Sequence, residues 1–207
     1  MKIIDLTAEI YNEMPVYPGD PEVRIEEVYS IDNDGYSVSR IQINDHVGTH
    51  VETQSHLIKG RKMEDEPLEK LIGRAAVVDI GMGRVEVDDL KKFDNLLEGC
   101  DILIMRSGYS RKTQGIDTED KEKPALSLDA VKWIISKGVR VFGIDAFDFD
   151  SSPTYEGHKM LFKEGVLIVE GLVNLDALSS SKFKLYIIPA KIKGVGGCPC
   201  RVFAIEE

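Results

Sequence analysis

Residues 46–56 read HVGTHVETQSH, and three of the four histidines in the 207-residue chain, His46, His50 and His56, fall there. A carboxylate, Glu52, stands among them. Imidazole nitrogen and carboxylate oxygen are the donors that hold zinc and related divalent ions. As a helix the stretch is poor, because adjacent Gly48 and Thr49, flanked by Val47 and Val51, disfavour a helix interior. Helical twist would also turn Glu52 away from the face of His46 and His50. As an extended segment with period two, His46, Gly48, His50, Glu52, Gln54 and His56 share one side, and Val47, Thr49, Val51, Thr53 and Ser55 the other. A straight strand still puts His46 and His50 about 13 Å apart at ~3.3 Å per residue, too far for one ion with bonds of ~2 Å. The chain must bend, and Gly48, lacking a Cβ, bends most cheaply. The expectation is that His46, His50 and Glu52 gather around one ion. The plainer alternative is scattered surface or core histidines.

The fourth histidine, His158, lies in GHKMLFKEGVLIVEGLVNL, where Glu170 interrupts an apolar run. A carboxylate in such a run needs a cation, a set of donors or a raised pKa. A metal would satisfy it, and His158, across the stretch HKMLF, could turn toward the same site. A salt bridge or an edge strand is the alternative. Asp145, Asp148 and Asp150 in GIDAFDFD either orient a ligand histidine or cap an ordinary loop. Arg106, ending an apolar strand in MRSGYS, is a candidate for bidentate binding of a substrate carboxylate, with a structural ion pair as the default. Cys198 and Cys200 in CPC have no second ligand pair and read as a tight turn into the last strand. The glycines of GVGG before them would allow close backbone approach near the site or a subunit contact. DIGMGR has two glycines of a dinucleotide fingerprint without the third, and no G-x-S-x-G motif offers a serine nucleophile.

These side chains need a scaffold. Apolar or alternating runs predict strands at KIIDLT, RIEEVYS, SVSRIQIN, AAVVDI, DILIMRS, RVFGID, VLIVEGL, KLYIIPA and RVFAIE. Helical signals lie at VDDLKKF and SLDAVKWIISKG. In the second, Ser127 is the N-cap, Val131, Ile134 and Ile135 form an apolar face, and Gly138 stops the helix. A helix running straight into an apolar strand marks an α/β layered fold. Strands dominate the first third, so a mixed sheet is expected. RKTQGIDTEDKEKP, residues 111–124, reads as a solvated surface loop.

Composition bounds the rest. The length suits one domain, 1–207, with a sizeable core. A net charge of −10 leaves no basic footprint for nucleic acid and would be repelled by an anionic membrane surface. No run approaches the ~20 apolar residues of a membrane span, and MKIIDLTAEI lacks the apolar region of a leader. Three cysteines make no disulfide framework. A cytoplasmic protein acting on a small molecule is expected, with neither nucleic acid nor membrane as partner.

HVGTHVETQSH resembles the signature H-x-G-T-H-x-D-x-P-x-H of the cyclase family, which includes bacterial kynurenine formamidases and isatin hydrolases. DLTAEIYNEMPVYPGDP, GIDAFDFDSSP, the pair His158 and Glu170, and KGVGGCPCRVFAIEE resemble further blocks of that family in order. The resemblance implies an α/β fold of swivelling β/β/α architecture with flanking helices, in a homodimer or homotetramer. It implies His46 and His50 as metal ligands and Glu52 as a ligand that bridges two ions. His158 and Glu170 would be further ligands, and His56 the catalytic acid/base. The implied activity is hydrolysis of a formamide or lactam C–N bond by water activated on zinc or manganese, one or two ions, with a metal-dependent dehydratase or cyclase and a non-catalytic metal-binding protein as alternatives. Three positions depart from the pattern. Glu52 replaces an aspartate, and Gln54 replaces a proline, which loosens the backbone before His56. Tyr17 stands where formamidases carry a substrate-facing tryptophan, which weakens N-formylkynurenine and tryptophan catabolism as the specific assignment.

Overall fold

The computed structural model describes residues 1–112 and 122–206, so most of the loop expected at 111–124 lies outside the described residues. The strands are β1 (Lys2–Asp5), β2 (Arg24–Tyr29), β3 (Val38–Gln42), β4 (His50–Glu52), β5 (Ile72–Asp79), β6 (Arg84–Val85), β7 (Ile102–Arg106), β8 (Ala125–Leu126), β9 (Val141–Ile144), β10 (Leu167–Glu170), β11 (Lys182–Pro189) and β12 (Gly197–Glu206). The helices are α1 (Ile31–Asp34), α2 (Val87–Lys91), α3 (Tyr109–Lys112), α4 (Leu128–Ser136) and α5 (Glu156–Lys163). Each apolar run read as a strand holds one. In α4, Ser127 caps as expected, its Oγ accepting from Ala130 N, and Gly138 beyond the end takes φ +68°.

One mixed sheet runs β1-β12-β11-β5-β7-β9-β10-β4, and β4 pairs onward to β12. That last pairing closes seven strands into a barrel, with β1 beside β12. The strands β5, β7, β9 and β10 are mutually parallel. Every other pairing in the sheet is antiparallel. Side chains alternate as the two-residue period requires. Ala75, Val77, Ile104 and Val169 point into the barrel with Val51, Cys198, Cys200 and Val202. Ala76, Val78, Met105, Phe142 and Ile168 face outward, where Leu90, Val131, Ile134, Leu161 and Phe162 of the helices cover them. Both faces of the parallel strands are therefore buried, which is why they read as unbroken apolar runs. The two cysteines lie within β12, buried on the barrel side, rather than in a turn.

Closure places β4 between β10 and β12. Its register sets His50 opposite Glu170 and Glu52 opposite Ile168 on β10, and Gly197 opposite Glu52 on β12. Val51 points inward, so His50, Glu52 and Glu170 share the outer face, the side on which α5 packs. Gly171 fixes the turn after β10. It takes φ +67°, and a Cβ there would sit 2.7 Å from the Gly48 carbonyl oxygen and 2.7 Å from Phe147. Its own carbonyl accepts the Thr49 hydroxyl at 2.6 Å.

The β2–β3 ribbon stands apart from this body. Tyr29, Ile31, Tyr36, Val38 and Ile41 are all exposed on it. Among the described residues, no helix is long and apolar enough to cross a membrane.

Gly171→Ala combines a strained left-handed backbone with overpacking. It is expected to lose about 2–4 kcal/mol of stability in a denaturant titration. A loss below about 0.5 kcal/mol would contradict the close approach described here.

Candidate metal centre

Two turns bring the outer histidines to β4. Gly48 takes φ +61°, bending the chain where the sequence required it. Residues Gln54–His56 form a single 3₁₀ turn. The expected alternation thus holds only across β4, and His46 and His56 reach the site from the bends on either side. His158 arrives on α5, a helix that the sequence reading did not find.

The four imidazoles surround one carboxylate. Glu52 Oε1 lies 3.4 Å from His46 Nε2, 3.4 Å from His50 Nε2 and 3.7 Å from His56 Nε2. Its Oε2 lies 3.9 Å from His158 Nε2. Glu170 completes the cluster, at 3.3 Å from His158 Nε2 and 3.8 Å from His50 Nε2. Glu52, Glu170, His50 and His158 are each 2–3% exposed.

Three rings are fixed through their other nitrogen. His50 Nδ1–H donates to the Gly48 carbonyl at 2.9 Å, which leaves the Nε2 lone pair aimed at the centre. His46 Nδ1 lies 3.0 Å from Asp45 Oδ1. His158 Nδ1 lies 3.2 Å from Asp150 Oδ2, which also accepts the His158 backbone N–H at 3.0 Å. The Phe149 ring stacks on His158 at 4.2 Å. Such outer partners set tautomer and ring orientation in metal sites. Of the three aspartates weighed from the sequence, Asp150 holds a histidine. Asp145 instead accepts from the Ser107 and Gly108 amides, and Asp148 from the Asp150 amide.

The donor set fits a divalent ion. His46 Nε2, His50 Nε2 and Glu52 Oε2 are buried without a hydrogen-bond partner, an arrangement that costs roughly 1–3 kcal/mol per group. Ligand atoms ~2.0–2.1 Å from a tetrahedral ion lie roughly 3.3–3.4 Å apart, close to the separations seen. Two sets, His46–Glu52–His56 and His50–Glu52–Glu170, each have ligand atoms within 4.8 Å of one another, and Glu52 belongs to both.

Charge is unevenly held. Burial would raise the Glu52 carboxyl, but the imidazoles of His50, His158 and His56 beside it bring it well below the usual range. Glu170 is pushed up to about 7 by burial and by the Glu52 charge. Burial opposes protonation of His158, yet its bonds to Asp150 and Glu170 raise it to about 10. Burial and the neighbouring imidazoles lower His56, against the attraction of Glu52.

A cavity of about 230 Å³ opens onto the cluster, walled by Tyr17, Asp20, Leu57, Phe147, Asp148 and Tyr155. The Tyr17 and Tyr155 hydroxyls are 3.1 Å apart. Tyr155 takes φ +56° just before α5, an uncommon backbone for a bulky residue. No local pattern marked Tyr155 or Phe147, because the helix and turn that aim them were not legible. Arg106, the other candidate for substrate binding, does not line this cavity. Its guanidinium grips Asp79 through two bonds of 2.6 and 2.9 Å and donates to the Leu175 carbonyl. The ion pair expected by default is thus present. Close approach explains the last two glycines of GVGG, since a Cβ on Gly197 would lie 2.8 Å from His46 Nε2 and one on Gly196 2.8 Å from the His56 amide nitrogen. The loosening expected from Gln54 is offset by its side chain, which bonds to Phe162 O and Arg61 N.

The fold and this cluster together define a family. The sequence profile described as Putative cyclase matches residues 4–151, and the chain belongs to that family. The kynurenine formamidase of Bacillus mycoides (strain KBAB4) is 28% identical over 204 residues, covering 96% of this chain and 94% of the relative. A solved structure described as a potential metal-dependent hydrolase with cyclase activity is 29% identical at TM-score 0.83, covering 100% of this chain and 99% of the other. Isatin hydrolase A from Labrenzia aggregata superposes at TM-score 0.86 with 24% identity, covering 98% of this chain and 93% of the other, a likeness of fold. The α/β architecture expected from the sequence is borne out.

Ligands bind as carboxylate and neutral imidazole, so an ion must displace the protons on His158 and Glu170. Calorimetric zinc titration at pH 7 in buffers of different ionisation enthalpy should show release of about one to two protons, with affinity rising with pH through the Glu170 and His158 pKa values. Glu52→Gln should weaken binding at least about a hundredfold. Uptake without proton release would remove His158 and Glu170 from the centre, and unaltered affinity in the variant would remove Glu52.

Proposed function

We propose that this chain is a metal-dependent hydrolase of C–N amide bonds, with formamides and strained lactams as its substrate class. The observation that carries the proposal is the buried Glu52 carboxylate ringed by four imidazole nitrogens, two of them unpartnered, at the floor of a small cavity. The kynurenine formamidase relative supports the reaction type.

His46, His50, Glu52, His158 and Glu170 would hold one or two ions, with zinc favoured by the imidazole content and manganese by the paired carboxylates. A divalent ion there supplies Lewis acidity and lowers the pKa of water toward ~7. The protein's own groups do the rest. Glu52 and Glu170 supply the negative charge that retains a cation in an otherwise apolar layer. Asp45, the Gly48 carbonyl and Asp150 keep three rings from turning. His56 differs from those three. Its side chain is 30% exposed, against 3% for His50 and 4% for His158. The carboxylate beside it is Glu52, 3.7 Å from its Nε2. It is therefore free to take a proton from the attacking water and pass it to the leaving nitrogen. Tyr17, Phe147, Tyr155 and Leu57 form the wall against which a flat substrate would lie.

We also propose that the chain acts as a homodimer or homotetramer. An isolated two-stranded ribbon is marginal in water, and the β2–β3 ribbon exposes five large apolar side chains named above that a second copy would cover. Light scattering should give a multiple of 23.1 kDa, and Ile41→Asp should shift it toward one copy. A monomer at tens of micromolar would defeat this.

For the reaction, protein stripped and reloaded with zinc or manganese should hydrolyse aryl formamides, N-formylkynurenine or isatin. His56→Ala should keep its metal and lose about 10²–10⁴-fold in kcat. Loss of metal in that variant would make His56 a ligand instead. Full metal occupancy in the wild type with no amide turnover would leave an ion-binding protein without this chemistry.

A further inference from the structure

The turn that carries His56 is held by a side chain outside the cluster. Gln54 opens the 3₁₀ turn behind Thr53, its N-cap. Its amide Nε2 donates to the Phe162 carbonyl at 2.8 Å, near the C-terminal end of α5. Its Oε1 accepts the Arg61 amide at 3.0 Å, and the Ser55 amide donates to the Arg61 carbonyl at 3.1 Å. One side chain thus spans two segments and ties the His56 turn to the helix that bears His158. The ring of the same Phe162 stands edge-on to His56, centroids 6.5 Å apart, and lies 6.3 Å from His158.

We propose that Gln54 is a positioning residue for His56, with its amide doing by two hydrogen bonds what a proline ring does by covalent restraint. The first position of such a turn is where proline is tolerated, because its amide N–H has no partner within the turn. Glutamine there leaves φ free, and the bonds to Phe162 and Arg61 restore the restraint. They add something a ring cannot, a direct link between the proton-carrying histidine and the helix of a ligand histidine. Gly60 completes the device. A Cβ on it would lie 2.6 Å from Gln54 Cβ and 2.8 Å from its Cδ, so any side chain at 60 pushes the amide from its seat. The kinetic part of this proposal rests on the hydrolase reading above.

The test needs no change to the cluster. In metal-loaded protein assayed on an aryl formamide, Gln54→Ala and Gly60→Ala should each lower kcat about ten- to a hundredfold, the scale of a misplaced catalytic group, with KM within threefold and metal content intact. The double variant should be no slower than the worse single variant, because both remove one contact. Gln54→Glu should fall with them, since it loses the donor to Phe162. Gln54→Pro should recover most of kcat. Wild-type kcat in Gln54→Ala, a loss confined to KM, or multiplicative effects in the double variant would overturn the proposal. Hydrogen exchange decides it independently of turnover. The Arg61 and His56 amides should exchange at least tenfold faster in both single variants, and unchanged protection would overturn it even if the wild type hydrolyses no amide. Absent turnover with the exchange result intact would instead count against the hydrolase reading alone.

Discussion

A carboxylate buried among imidazoles is the constraint on which the rest depends. Glu52 is almost wholly out of water, and an isolated charge there would cost several kcal/mol. All four histidines of the chain lie within 4 Å of it. The raised pKa of His158 puts positive charge beside it in the free protein, and a divalent ion would supply more. The same arrangement therefore serves stability and chemistry, and the choice between them is set by what cation is present. Glu170 is held differently. It shares the site with a carboxylate already ionised, so its own ionisation is resisted until a cation arrives.

Barrel closure is what gathers the ligands. His50 and Glu52 stand on the three-residue β4, which would have no lasting position as a free strand. Pairing with β10 on one edge and β12 on the other fixes it, and the β10 register sets Glu170 across from His50. A shift of one residue would turn His50 and Glu52 into the apolar barrel and Val51 out toward α5. The packing of Val51 among Leu172, Cys198 and Val202 thus specifies the register on which the polar face depends.

Much of this was legible in the sequence because it is local. Nine apolar runs gave nine strands, Ser127 and Gly138 bounded α4, and the spacing of His46, His50 and Glu52 demanded a bend that Gly48 provides. What escaped was of two kinds. The helix α5 is short, carries Gly157 in its first turn after the uncommon backbone of Tyr155, and mixes lysines with its apolar residues, so its periodicity is faint. Closure of the sheet depends on pairing between segments far apart in the chain, which no local pattern encodes. Without it, neither the place of Tyr155 and Phe147 in the cavity wall nor the choice of Asp150 over its two neighbours could be read. Arg106 misled for a related reason, since Asp79, its partner, lies on an adjacent strand that only the register reveals.

The strand that completes the ring, β12, follows every other strand of the barrel in chain order and holds β4 with its first three residues. On the ribosome, then, all six acidic and imidazole side chains of the cluster emerge before the segment that fastens their strand in place. A nascent chain halted ahead of Gly197 would expose one edge of β4 and hold its histidines only through β10. Capture of an ion should consequently wait for β12 to dock, and be slow in the manner of folds whose key contacts join distant segments.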